Sequence, residues 1–166
     1  MEISIKSLVL LGSVIFTGLS AGLFFAWSVS VIPGTQKIGD NAYLETMQSI
    51  NRAILNPAFF LIFFGSMVLL GVGSIYQFHF SKPAFWLMLA SSATYLIGTL
   101  AVTGLGNVPL NDQLEALSLS ELSTAKLQEF RTYYESRWNR LHQIRTLSAI
   151  AAFVLAAMAL WVNHKH

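Results

Sequence analysis

The segment ESRWNRLHQIRT, residues 135–146, gathers the side chains best suited to acid–base or anion chemistry. At helical spacing Trp138, His142 and Arg145 stand at i, i+4 and i+7 and share one face. Tyr134 and Leu141 flank them, and Leu127 and Phe130 continue the stripe upstream, so this face reads as inward. His142 offers a proton acceptor whose ordinary pKa is about 6.5. Arg145 is a permanent cation. Arg145 also opens the last apolar run, and an ionisable side chain near membrane depth points to function. Its alternative is an arginine reaching outward to lipid headgroups, and both readings stay open at this stage.

A second cluster is NVPLND, residues 107–112, which closes an otherwise apolar segment. Pro109 reads as the stop of that helix, with the Asn107 and Asn111 amides bonding the carbonyls it leaves free. The competing reading is a polar floor at the mouth of an apolar bundle. Asn51 belongs to the same set, because all asparagines but Asn163 fall in the segments that share this side of the chain.

These side chains need a scaffold, and the charge distribution supplies it. Residues 7–36, 53–81, 83–111 and 146–164 contain no Asp, Glu, Lys or Arg. A helix crosses about 30 Å of hydrocarbon with about 20 apolar residues, so four spans are expected, at about 7–32, 57–80, 83–106 and 146–163. The charged fraction is 11% against about 25% in soluble domains. The fold class is therefore all-α: one integral membrane four-helix bundle over residues 1–166, with amphipathic extramembrane helices on one side. One such helix is expected at about 41–55, with Asp40 as its N-cap and Tyr43, Met47, Ile50 and Ile54 on one face, lying on the membrane or over the bundle mouth. A second extramembrane helical segment covers about 118–145; Ser118-Leu119-Ser120-Glu121 matches the capping-box pattern, and from about Thr124 the helical pattern runs without Gly or Pro into the last span.

The first span is expected to stop at Pro33-Gly34. It carries Gly18, Gly22, Ala26 and Ser30 at i+4 spacing, a seam for close helix packing. Its apolar part is longer than a signal peptide's core, so it reads as a retained span. Four spans put both termini on one side of a multi-pass membrane protein.

Several function classes are disfavoured. Net charge is +2 without a basic stripe, so nucleic acid is not an expected partner. There is no cysteine. His79, His164 and His166 belong to the end opposite His142, and no His/carboxylate pair has ligand spacing, so no protein-bound metal is expected. No phosphate-binding loop and no dinucleotide fingerprint occur. Membrane lipid is the evident surrounding partner.

Four stretches occur in order along the chain: TGLSAGLFFAWSVSVIPG (17–34), MQSINRAILNP (47–57), NVPLND (107–112) and RWNRLHQIRT (137–146). Together they resemble the anthrone oxygenase-like family of small four-span membrane proteins. The resemblance implies oxidation of an electron-rich polycyclic phenol by dioxygen without metal, flavin or other cofactor. It places the matching positions at Asn51, Asn107, Pro109, Asn111, Trp138 and Arg145. One departure stands out: the family's usual asparagine–histidine pair is His142-Gln143 here, which turns the histidine by about 100° around the helix. In this reading His142 is the base, Arg145, Asn107 and Asn111 hold the oxyanion, and Trp138 and Tyr134 stack on an apolar aromatic small molecule. The alternative from the residues alone is a non-enzymatic membrane protein that binds a lipid, a quinone or a partner protein.

Overall fold

The structure, a computed structural model, describes residues 5–163. Helix α1 runs over Ile5–Thr35, α2 over Asp40–Ala53, α3 over Pro57–Phe80, α4 over Lys82–Glu115 and α5 over Thr124–Asn163. All but α2 are long and apolar enough to cross a membrane, as expected of a multi-pass membrane protein. They form a ring in which α1 packs on α3 and α5, and α4 packs on the same two helices. At 1.5 Å per residue α5 is about 60 Å long, twice the hydrocarbon thickness. The tail histidines His164 and His166 lie outside the described residues.

Two helix ends expected from proline are not ends. α1 continues through Pro33 to Thr35, and α4 continues through Pro109 to Glu115. In both, a π-helical stretch comes first: Trp27–Val31 before Pro33, and Tyr95–Ala101 and Thr103–Asn107 before Pro109. A proline inside a helix lacks a donor and its ring collides with the carbonyl four residues back. Widening the turn to i→i+5 bonding, as in the Ile32 N–H to Trp27 carbonyl bond, removes that carbonyl from the collision. NVPLND thus lies within α4, in its last turns, and Asn107 and Asn111 sit one turn apart on it.

The small-residue seam of α1 is also elsewhere than expected. Gly22, Ala26 and Ser30 are exposed, and of the two glycines in the seam Gly18 alone meets a neighbour, the Phe153 ring. The buried stripe of α1 is Leu10, Ser13, Thr17, Ala21 and Phe24. Close packing comes from α5, whose Ala149, Ala152, Ala156 and Ala159 are wholly buried in one cluster with Leu10, Leu70 and Met88. α4 approaches α5 at Gly98, where a Cβ would run into the Ser148 side chain. Ser91 Oγ donates to the Ala152 carbonyl across the same interface at 2.7 Å. Tyr95 donates its hydroxyl to the Phe63 carbonyl (3.1 Å) and accepts from Ser20 (2.8 Å), tying three helices together.

α2 folds over one end of the ring. Its N-cap is Gly39 rather than Asp40, because Asp40 has already entered the helix and pairs with Arg131 at 3.0 Å. Tyr43, Leu44 and Met47 bury themselves against Leu110, Leu114, Leu119, Leu127 and Tyr134. Ser118 caps nothing. Leu119–Glu121 is a single 3₁₀ turn, and Ser123 accepts from the Lys126 amide at the true start of α5. The helix start expected at about Thr124 is where α5 begins.

Candidate functional site

Beneath α2 lies a cavity of about 240 Å³. Its apolar walls are Leu23, Phe24 and Trp27 of α1, Ile54 and Leu55 of the link to α3, Phe59 of α3 and Val108 of α4. Its polar lining is Asn51, Thr103, Asn107, Asn111, His142 and Arg145, with Arg52, Asp112 and Glu115 also bordering it. Trp138 completes the wall. Of the candidate site residues, Asn51, Asn107, Asn111, Trp138, His142 and Arg145 border this one space, whereas Tyr134 and Pro109 do not.

Arg145 points inward and is only 8% exposed. Among the described residues no carboxylate pairs with it. Its guanidinium lies 4.7 Å from the Phe24 ring centroid and 4.9 Å from that of Trp138. Two such contacts offset part of the desolvation cost, each by about 0.5–2 kcal/mol. A buried charge without a counter-ion remains expensive, since desolvation amounts to several kcal/mol per ion.

His142 sets the direction of that guanidinium. Arg145 donates from Nε (3.1 Å) and Nη2 (2.9 Å) to His142 Nδ1. Arginine only donates, so Nδ1 carries a lone pair and the imidazole is neutral. The proton therefore sits on Nε2, which donates to the Phe24 carbonyl (3.1 Å) and to Ser28 Oγ (3.0 Å). Ser28 in turn donates to the same Phe24 carbonyl. Thr146 packs beside Nε2 while its hydroxyl donates to the His142 carbonyl at 2.7 Å. Trp138 stacks on the imidazole with ring centroids 5.0 Å apart and planes 8° from parallel. Both ring nitrogens of His142 are thus engaged, and neither is free to take a proton. Nothing in the spacing marks Phe24 and Ser28, which approach from a helix more than a hundred residues away.

The asparagines form a brace rather than a helix end. Asn111 Oδ1 accepts from Trp138 Nε1–H and from the Tyr134 hydroxyl, each at 3.0 Å. Asn51 donates to the Tyr134 oxygen at 3.3 Å. Asn107 donates from Nδ2 to the Trp138 carbonyl at 3.3 Å, and its buried Oδ1 has no partner among the described residues. Together these bonds fix the rotamer of Trp138 and the register between α4 and α5. Tyr134 is buried away from the cavity, packed on Tyr43 and Phe130, so it braces Asn111 instead of stacking on a ligand.

Arg131, not singled out by spacing, clamps the outer end. It pairs with Glu135 (2.9 Å) and Asp40 (3.0 Å) and donates to the Ile38 carbonyl (2.6 Å), holding the α1–α2 connection onto α5. Its guanidinium covers the Tyr43 ring at 4.5 Å. Burial, reinforced by Glu135, raises the Tyr43 hydroxyl far above the ordinary tyrosine range, so it stays protonated. A Glu four residues on was the available signal for half of this clamp. Among the described residues no group of His, Cys, Asp or Glu is gathered to hold a metal ion.

A model of the anthrone oxygenase family matches residues 59–155, more than half of the chain. This chain belongs to that family. The match includes NVPLND and the Trp138–Arg145 face, hence most of the polar lining of the cavity. No curated protein and no solved structure matches the chain.

Proposed function

We propose that this family member is a cofactor-independent oxygenase that converts an electron-rich polycyclic phenol of the anthrone type to the quinone. The observation that carries the reading is Arg145: a buried cation without a counter-ion, bordering an apolar cavity. Such a site favours a flat, apolar molecule at the moment it becomes an anion. The cavity is somewhat below the range of about 300–1,000 Å³ common for drug-sized ligands, which suits a compact, rigid ring system.

The chemistry balances with dioxygen alone. The carbon opposite the ketone loses a proton, and the resulting anion is delocalised onto the ketone oxygen, where Arg145 stabilises it. One electron passes to dioxygen, and the carbon radical and superoxide join through a new carbon–oxygen bond. Proton uptake gives a hydroperoxide, and loss of water leaves the second carbonyl. One dioxygen is consumed; one oxygen atom stays on carbon and the other leaves as water. The departing proton passes to the mouth, where the exposed Asp112 carboxylate lies at the rim. The polycyclic substrate stacks against the Trp138 and Phe24 side of the cavity.

The test is turnover of a hydroxyanthrone under air by purified protein, beside a no-protein control and Arg145→Ala, because anthrones also oxidise spontaneously. Quinone formation well above both controls is expected. Loss of one oxyanion-stabilising group costs about a hundred- to a thousand-fold in rate, so Arg145→Ala should fall to the control. Wild-type protein no faster than the control would sink the oxygenase reading and favour a ligand-binding role for the cavity.

A further inference from the structure

We propose that His142 is a positioning residue and not the base, its neutral imidazole aiming Arg145 so that the cavity takes the ionised form of an aromatic hydroxyl over the neutral form. Three observations carry this. The Nδ1 lone pair is filled by two donors of the same guanidinium, and Nε2–H is filled by the Phe24 carbonyl and Ser28. Nε and Nη2 of Arg145 both turn to His142, and Nη1 makes no hydrogen bond among the described residues. The cation also borders a cavity whose other charged groups leave it uncompensated: Arg52 pairs with Glu115, and Asp112 stands exposed at the rim.

A histidine placed to accept a proton needs an open lone pair directed at the ligand. Here that lone pair is directed at the arginine. Protonating it would set two cations in contact, so binding of an anion and protonation of His142 do not share a step. What the imidazole supplies is an acceptor at one fixed point, held by Trp138 on its face and by α1 on its far edge. The requirement on residue 142 is then an acceptor at the Nδ1 position and no titratable group at all. An asparagine Oδ1 meets that requirement, and a phenylalanine does not.

The inference places this anion site within the cavity of the proposed reaction, and its test needs no turnover. A hydroxyanthraquinone changes colour when its hydroxyl ionises and cannot be oxidised further by this route. It is titrated in bilayer discs of zwitterionic lipid holding wild-type protein, Arg145→Met, His142→Asn or His142→Phe, and in empty discs. Bound to the wild type, the dye should ionise at least about one pH unit lower than in empty discs, a tenfold preference for the anion. His142→Asn should keep that displacement, and His142→Phe and Arg145→Met should lose it. An unchanged midpoint on the wild type would overturn the proposal, as would equal behaviour of the Asn and Phe variants. Should His142→Phe fail to fold, the comparison of His142→Asn with wild type and empty discs still decides the matter.

Anthrone turnover adds the second arm. If His142→Asn keeps the dye displacement but abolishes turnover, His142 is the base and the positioning role falls. Dye displacement without anthrone oxidation by the wild type would overturn the oxygenase reading and leave the anion site standing.

Discussion

From Ala149 to Ala159 helix α5 presents a row of alanines to a close-packed cluster with Leu10, Leu70 and Met88. In the three turns before it the same helix presents Trp138, His142 and Arg145 to a cavity. In the alanine half the polar side chains are hydroxyls that mostly bond helix carbonyls: Ser13, Thr17, Ser66 and Ser74 each bond the carbonyl four residues back. Such bonds satisfy a polar group inside apolar surroundings without specifying anything beyond their own helix. In the cavity half the bonds run between helices, from α5 to α4 through Asn111 and Asn107 and from α5 to α1 through His142. The first half holds helices together by contact area; the second fixes rotamers and the direction of a charge. The π-helical stretches Trp27–Val31 of α1 and Thr103–Asn107 of α4 also belong to the second half.

This contrast can be broken most sharply at Asn111. Asn111→Ala removes the shared acceptor of two buried donors, each costing about 1–3 kcal/mol when left unpaired. A loss of about 2–3 kcal/mol in reversible unfolding is expected, with a shift in tryptophan fluorescence as Trp138 loses its partner. A loss under about 0.5 kcal/mol would mean that the brace is not structural.

In the alanine half the same order of effect needs bulk rather than chemistry. Ala156→Leu forces extra volume into a site with no accessible surface, at a cost of about 1–3 kcal/mol. It should leave ligand binding at the other end unchanged once the folded fraction is accounted for. Altered binding in the folded fraction would show that the two halves are coupled.

Gln77 is the exception in its own half, since it is fully buried and neither amide atom has a partner among the described residues. Gln77→Met keeps the shape and removes that penalty, so a gain of about 1 kcal/mol is expected. A melting temperature that falls instead would mean that a bound water or lipid satisfies the amide.

The smallest effect belongs to the Arg52–Glu115 pair, which spans the cavity rim with side chains 61% and 46% exposed. Exposed pairs contribute about 0–1 kcal/mol. Arg52→Ala should leave stability within about 0.5 kcal/mol, a value read from the same unfolding curves. A larger loss would make the pair a latch between α2 and α4.

Much of this was legible from local pattern. Charge-free runs mark the four spans because a lipid-facing helix excludes ionised side chains along its whole length. Helical spacing likewise put Trp138, His142 and Arg145 on one face, and the stripe of neighbours made that face inward. Proline misled the reading of Pro33 and Pro109 because its local penalty is known while the π-helical turn that relieves it shows no sequence mark. The glycine and alanine seam of α1 misled for a related reason: spacing identifies a face without saying what it faces.

The sequence by itself determined an all-helical bundle of four apolar spans and which side chains of α5 travel together, because both follow from covalent spacing and transfer free energy. Only the tertiary structure decided that Arg145 turns inward with no carboxylate paired to it among the described residues, that His142 is held neutral on the Phe24 carbonyl and Ser28, and that Asn107 and Asn111 sit within α4 and brace Trp138. Each of those depends on partners from another helix, and hydrogen-bond direction is set by what lies opposite, which no periodicity within one segment contains.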